Sequence, residues 1–320
     1  MPVTAENLRS GCAREISLSP RGFGDCDWLH EAFMTVPREH FVPDRVWWPA
    51  SREDGSYPLI DRSEQPRAWL KAVYAPGAAL ITQIDDGAAE PTGPAKGAFS
   101  SSISASAVVV ELLRHLAPRP GDRILEIGTG TGYTTALLIH RAGDSGVVTV
   151  EIDAGLSARA ATRLDELRLR PTLVVADGEQ GYTPAGPYDR IVATASVRQI
   201  PPAWLEQLRP GGVLVAPMDS PYGHDLLVHL TGDGNGSAHG HFLEAVTFMP
   251  VRGQRAARPH EDLGWMAGAE THPWEDLRIV AGPDGQQIRC STPTGQDPRP
   301  RSDTQGERRA GAQEAAAPAD

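Results

Sequence analysis

The chain has 320 residues with 40% hydrophobic side chains, enough to pack one large domain or two modest ones. Its formal charge of −11, with Lys71 and Lys96 as the only lysines, excludes a nucleic-acid partner, which needs clustered cations, and favours a neutral or cationic polypeptide as partner. No stretch approaches the roughly 18 apolar residues of a membrane span, and Glu6, Arg9, Arg14 and Glu15 interrupt any signal-peptide core, so a soluble cytoplasmic protein with no membrane contact is expected.

Residues 1–98, rich in Trp, Pro and polar side chains, are expected to form an N-terminal cap over an acceptor region. A helix is expected around Trp28–Met34, with Trp47, Trp48 and Trp69 in the cap's core and a long irregular stretch over 83–98. Residues 99–253 read as the main domain. The serine-rich run Phe99–Ser106 precedes an apolar helix over Ala107–His115, where serines serve as N-caps or, with free N–H groups, as an anion site. Strands over 123–128, 147–153, 172–177, 188–195 and 212–217 then alternate with helices over 131–141, 154–168 and 201–208. Such alternation specifies an α/β fold with a doubly wound, Rossmann-like parallel sheet. Leu226–Leu230 and Phe242–Met249 flank the turn Gly232-Asp233-Gly234-Asn235-Gly236, so an antiparallel hairpin should end the sheet. A short appended C-terminal extension follows over 254–290, with Trp265, Trp274 and the strand-like Leu277–Val280. Residues 291–320 have almost no apolar anchors and read as a disordered tail. Cys12, Cys26 and Cys290 have no metal-ligand or disulfide spacing. His224 with His229, and His239 with His241, are spaced as pairs but lack a carboxylate partner in register, so no metal site is expected.

The informative segment is Arg123–Gly132, reading Arg-Ile-Leu-Glu-Ile-Gly-Thr-Gly-Thr-Gly and followed by helical spacing from Tyr133. A buried strand that turns sharply on Gly128, Gly130 and Gly132 gives a ligand close access to bare backbone. The G-x-G-x-G spacing differs from the G-x-G-x-x-G of dinucleotide oxidoreductases and points to S-adenosyl-L-methionine. Glu151, ending the next strand, is placed to accept both ribose hydroxyls, and Asp177, ending the third, to accept from an adenine amino group. Glu126 is a charge inside a central strand, costly unless it reaches a partner such as the ligand's amino end. The expected cofactor set is Glu126, Gly128, Thr129, Gly130, Gly132, Tyr133, Glu151, Ile152, Asp177 and Gly178.

These motifs resemble, in order, those of the protein-L-isoaspartate O-methyltransferases. That family carries a Thr-Ile-Ser-Gln-Pro segment, a Leu-Glu-Ile-Gly-Thr-Gly-Ser-Gly-Tyr turn, a Val-Glu strand end, a Gly-Asp-Gly and a closing Phe-Val-Pro-Leu. The present chain has Ser102-Ile103-Ser104, Leu125–Tyr133 with Thr131 in place of Ser, Val150-Glu151, Ala176-Asp177-Gly178 and Phe248-Met249-Pro250-Val251. Arg38–Pro43 and Ile200-Pro201-Pro202 are similar to further family segments, so the resemblance runs over roughly 30–253. It implies a methyltransferase acting on an Asp or isoAsp carboxylate of a peptide or protein, with Ser104 as the active-site serine. Two departures lie on the acceptor side: Ala105-Ser106 replaces Gln-Pro, and an insertion carries Thr82–Gly87. With the extension after 253, they resemble the actinobacterial branch found with graspetide and lanthipeptide maturation, whose methyl esters close to aspartimide. General repair of isoaspartyl proteins, a small-molecule methyltransferase and a non-catalytic cofactor-binding protein are the alternatives.

Overall fold

The computed structural model describes residues 4–20 and 22–291. The expected tail therefore lies, from 292 on, outside the described residues.

The N-terminal region opens with α1 (Ala5–Ser17), whose first turn is capped by Thr4 accepting from the Asn7 N–H at 3.2 Å. Next come α2 (Asp27–Thr35), the single turn α3 (Arg38–Phe41), β1 (Arg45–Trp47), β2 (Leu59–Asp61) and α4 (Pro66–Val73). β3 (Leu80–Ile84) and β4 (Phe99–Ile103) complete an antiparallel sheet of order β2-β1-β3-β4. Trp47, Ile81 and Ile84 form the small core of that sheet, while Trp48 and Trp69 join the main hydrophobic core. The stretch read as irregular over 83–98 thus begins inside a strand and continues as one 3-10 turn, Asp85–Gly87.

The serine run is likewise β4 and not a capping segment. Its backbone pairs with β3, and its hydroxyls bond across the pair: Thr82 Oγ1 to Ser101 Oγ at 2.9 Å and Ser100 Oγ to Gln83 Oε1 at 2.9 Å. The helix that follows, α5 (Ser106–Leu116), starts after Ala105 with no side-chain cap.

The second sheet has nine strands. Its parallel half is built from β5 (Ile124–Ile127), α6 (Tyr133–Ala142), β6 (Val147–Glu151), α7 (Ala154–Glu166), β7 (Thr172–Val175), β8 (Tyr188–Ala193), α8 (Pro202–Glu206) and β9 (Leu208–Met218). The order β7-β6-β5-β8-β9 makes β5 central, with the chain leaving it first toward β6 and returning on its other side as β8. That reversal opens a crevice at the carboxyl ends of β5 and β8. Every residue of β5 and β6 is buried, the pattern of strands covered on both faces. The helices α5, α6 and α7 pack one face together with the N-terminal helices; α8 and the segment around Trp265 pack the other.

Antiparallel strands finish the sheet: β10 (Asp225–Gly232), β11 (Ala238–Val246), β12 (Leu277–Gly282) and β13 (Gly285–Cys290). The expected hairpin is β10–β11, and it is interior because β12 and β13 add to its outer edge. Leu277, Ile279 and Ala281 of β12 point into the core and Arg278 and Val280 point out, the alternation of a sheet wet on one face. No helix among the described residues is long and apolar enough to cross a membrane.

Candidate active site

A cleft opens at the switch point, where open α/β sheets hold their ligands. Its floor is the β5–α6 turn. Gly128, Gly130 and Gly132 all have positive φ, at 92°, 54° and 90°. A Cβ on Gly128 would stand 2.6 Å from Thr194 Oγ1, which donates to the Gly128 carbonyl at 2.6 Å and ties the turn to the end of β8. A Cβ on Gly132 would press on Ala160 and Leu164 at 3.4 Å, so this glycine lets α6 approach α7 and does not itself line the cleft.

Glu151 ends β6 with 7% of its surface exposed. One carboxylate oxygen accepts from the Gly130 N–H at 2.9 Å and the other from the Asp153 N–H at 3.1 Å. Two main-chain donors therefore hold a carboxylate at the cleft wall, each oxygen keeping a lone pair for an outside donor. Asp177 follows β7 and caps the next turn by accepting from the Glu179 N–H at 3.0 Å. Beside it Gly178 has no room for a side chain, because a Cβ would lie 2.6 Å from Ile127. Its carbonyl takes the Trp204 indole N–H at 2.8 Å. Thr129 lines the floor and shares a 2.7 Å hydroxyl contact with Thr149, and the half-exposed Ile152 forms part of the wall.

Glu126 is placed differently from the expectation that it reaches the ligand. Strand alternation turns Leu125 and Ile127 to one face of β5 and Glu126 to the other, beneath α6, where it is fully buried and lines no part of the cleft. Thr135 of α6 donates to its carboxyl group. Burial pushes the Glu126 pKa up to about 7, opposed by the hydrogen bonds of Thr135 and Thr149 and aided by the nearby Glu151 charge.

Ser104 follows β4 and lies in the same cleft as the glycine turn, Glu151 and Asp177. Arg38 sets its backbone. The guanidinium is 1% exposed, donates to the carbonyls of Val73 and Ser104 at 2.8 Å each, and sits 5.0 Å over the Tyr133 ring. Tyr133 is buried at the start of α6, and burial raises its phenol to about 12. One cation thereby joins the N-terminal region, the serine and the cofactor-side helix.

Several lining residues escaped sequence reasoning. Thr194 and Ala195 were findable, since they sit at the carboxyl end of β8, across the switch point from β5. Arg252 and Arg255 line the cleft from the segment after β11, and no local pattern marked them. Of the paired histidines, His239 bonds to Asp233 at 2.8 Å, His229 faces His241 across β10 and β11, and His224 packs on Tyr222 and Trp274. Among the described residues, Glu111, His115 and Glu244 have metal-ligand proximity, outside the cleft.

A sheet whose parallel half carries a glycine turn, a strand-end carboxylate and an adjoining serine at its switch point has the architecture of an α/β methyltransferase. A family model described as Protein-L-isoaspartate(D-aspartate) O-methyltransferase matches residues 78–256. The chain belongs to that family and is an S-adenosylmethionine-dependent methyltransferase of the protein-L-isoaspartate O-methyltransferase type. It is 36% identical over 228 residues to the protein-L-isoaspartate O-methyltransferase of Methylorubrum extorquens, covering 70% of this chain and 98% of that one. It is 32% identical over 223 residues to that of Ignicoccus hospitalis, covering 69% and 87%. A solved protein-L-isoaspartate O-methyltransferase superposes with a TM-score of 0.60 at 17% identity, over 90% of this chain and all of that one (100%). A putative Plasmodium falciparum protein-L-isoaspartate O-methyltransferase, solved with S-adenosyl-L-homocysteine, gives 0.53 at 17% identity over 77% and 97%.

Proposed function

We propose that this chain methylates an aspartyl or isoaspartyl carboxylate of a cytoplasmic peptide or protein, and that the acceptor is a constrained maturing peptide whose methyl ester closes to aspartimide. The observation that carries the reading is the meeting of Ser104 with the Gly128–Gly130 turn, Glu151 and Asp177 in one cleft. The preference for a specialised acceptor rests on the remodelled acceptor side. The turn Asp85–Gly87 reaches the cleft-lining Arg252 and Arg255, and the strands β12 and β13 lie outside the family match at 78–256. In this reading residues 1–98 are the acceptor-side cap, 99–253 the methyltransferase core and 254–290 an added acceptor surface. A preorganised peptide loses less entropy on docking, so an enlarged surface is most useful against a fixed shape.

The residues present fit the cofactor. Gly128 and Gly130, both with positive φ, give the floor two positions without a Cβ, and Glu151 is held by main-chain donors at the wall. Gly128, Thr129 and Gly130 would face its amino-acid portion, Glu151 its ribose, and Ile152, Asp177 and Gly178 its adenine. Tyr133 would line the cleft at the start of α6, and Gly132 would brace the turn from behind. When bound, S-adenosylmethionine supplies a methyl group on sulfur that is open to in-line displacement. A carboxylate with a pKa of about 4 is already ionised at neutral pH, so no side chain need act as base. The Ser104 hydroxyl donates to one acceptor oxygen and leaves the other free to attack. The cleft's task is alignment and exclusion of water.

The reading is tested by mass spectrometry of the enzyme with cofactor and two acceptors, a generic linear isoaspartyl peptide and a crosslinked aspartyl peptide. Gain of one methyl on the constrained peptide, then loss of methanol, is expected. Efficient methylation of the linear peptide alone overturns the maturation reading in favour of repair. Ser104→Ala should cut turnover on the accepted peptide at least tenfold while leaving cofactor affinity and melting temperature unchanged, as removal of a reactant-positioning hydrogen bond requires. Equal turnover would remove Ser104 from the reaction.

A further inference from the structure

The net charge of −11 disfavours anionic partners for the molecule as a whole, yet two guanidinium groups stand at the cleft. Arg252 and Arg255 both line it. Asp86 bridges them: it accepts two hydrogen bonds from Arg255 at 2.6 and 2.8 Å and lies 3.0 Å from Arg252. Arg252 also pairs with Asp153 at 3.8 Å.

Asp86 is delivered to this position at a conformational cost. Asp85, Asp86 and Gly87 have φ of 47°, 52° and 92°, so two consecutive non-glycine residues are left-handed. The turn is held by the Ala98 N–H on Asp85 at 2.8 Å and by the Asp86 N–H on Ser100 Oγ at 2.9 Å. The ion pair it makes is about one-third exposed on each partner, and such pairs contribute little to stability. Strained backbone that delivers a weak pair into a ligand cleft is the signature of a functional contact. The turn is also wired to the cofactor wall. Ser100 Oγ donates to Gln83, Gln83 donates to Asp153 Oδ2 at 3.1 Å, and the Asp153 N–H donates to Glu151.

We propose that Arg252 and Arg255 are a specificity site for an acidic side chain flanking the methylated residue of the acceptor peptide, and that Asp86 occupies this site in the free enzyme until the acceptor displaces it. The proposal rests on the peptide-carboxyl methyltransferase reading above. A planar guanidinium that already grips one carboxylate through two parallel bonds accepts a second of the same geometry.

The test uses two short capped peptides with a central isoaspartate, one flanked by glutamates and one by glutamines. Each carries a fluorescent label, and binding to the full-length enzyme in the presence of S-adenosyl-L-homocysteine is read by anisotropy, so no turnover is needed. The wild type is expected to prefer the glutamate peptide. Arg255→Gln should weaken that peptide roughly tenfold and spare the glutamine peptide. Asp86→Asn, which removes the internal competitor while leaving both arginines, should tighten the glutamate peptide severalfold. Arg255→Lys should fall between wild type and Arg255→Gln. Equal affinity of the two peptides, or identical effects of Arg255→Gln on both, would overturn the proposal and make the contact a structural latch. Charge-dependent binding without methylation of either peptide would instead strike the carboxyl-methylation reading and leave the acidic-flank site standing.

Discussion

Replacing Glu151 with glutamine gives the sharpest test of the cofactor wall, because shape is preserved and only charge and hydrogen-bond polarity change. In the native arrangement the two carboxylate oxygens accept from Gly130 N–H at 2.9 Å and Asp153 N–H at 3.1 Å. A carboxamide has one oxygen. Whichever way it turns, its NH2 faces a main-chain N–H, and one donor loses its acceptor at a site only 7% exposed. A hydrogen bond to a charged group contributes about 1.5–3 kcal/mol, so the free protein should lose roughly 2 kcal/mol of stability. Binding suffers separately, since the amide can accept from one ribose hydroxyl where the carboxylate accepts from two. A further loss of about 1.5–3 kcal/mol corresponds to a roughly 10- to 150-fold rise in Kd. Titration calorimetry with S-adenosyl-L-homocysteine, which cannot turn over, reads the second term, and urea unfolding without ligand reads the first. A variant with lowered stability but unchanged affinity would show that Glu151 only braces the glycine turn, and the assignment of the ribose position would fall.

Glu126→Gln addresses the buried carboxyl under α6. Its folded pKa is raised to about 7 from an ordinary value near 4.5, so the folded state holds a proton that the unfolded chain releases. The stabilising term is full below pH 4.5 and is lost as pH rises toward 7, by about 3 kcal/mol in total. The stability difference between the glutamine variant and wild type should therefore shift in the variant's favour across that window and be flat outside it; a difference independent of pH refutes the assignment. Gly128→Ala combines a left-handed backbone with a 2.6 Å approach to Thr194 Oγ1, and should cost about 2–3 kcal/mol in stability along with cofactor affinity. Thr194→Ala in the same chain should recover the clash component, and a strictly additive double variant, measured by thermal unfolding, would count against the contact.

The meeting of the glycine turn, Glu151 and Asp177 in one cleft was legible because each of these features is encoded locally. Gly128, Gly130 and Gly132 are required by positive φ within one short turn, Glu151 is the last residue of its strand and Asp177 follows its strand by two residues. Strand-end placement converts sequence position directly into cleft position once the sheet is parallel. Glu126 marks where that logic stops. Its rank in the strand was plain, but which face it takes depends on the pleat, and the pleat sends it beneath α6 to Thr135 and Thr149.

The contacts around Ser104 and the Asp85–Gly87 turn could be read only from the tertiary structure. The serine run has the composition of a helix cap, and it became β4 because β3, some twenty residues earlier, offered a pairing edge. Arg38 looked like one residue of an early motif. Only packing brings its guanidinium to the carbonyls of Val73 and Ser104, 35 and 66 residues away. The Asp86–Arg255 pair spans 169 residues, and neither end is distinguishable by sequence from any exposed charge. Local steric and hydrogen-bond requirements are written into short stretches of chain, whereas contacts between distant segments exist only after both have been packed onto the same sheet.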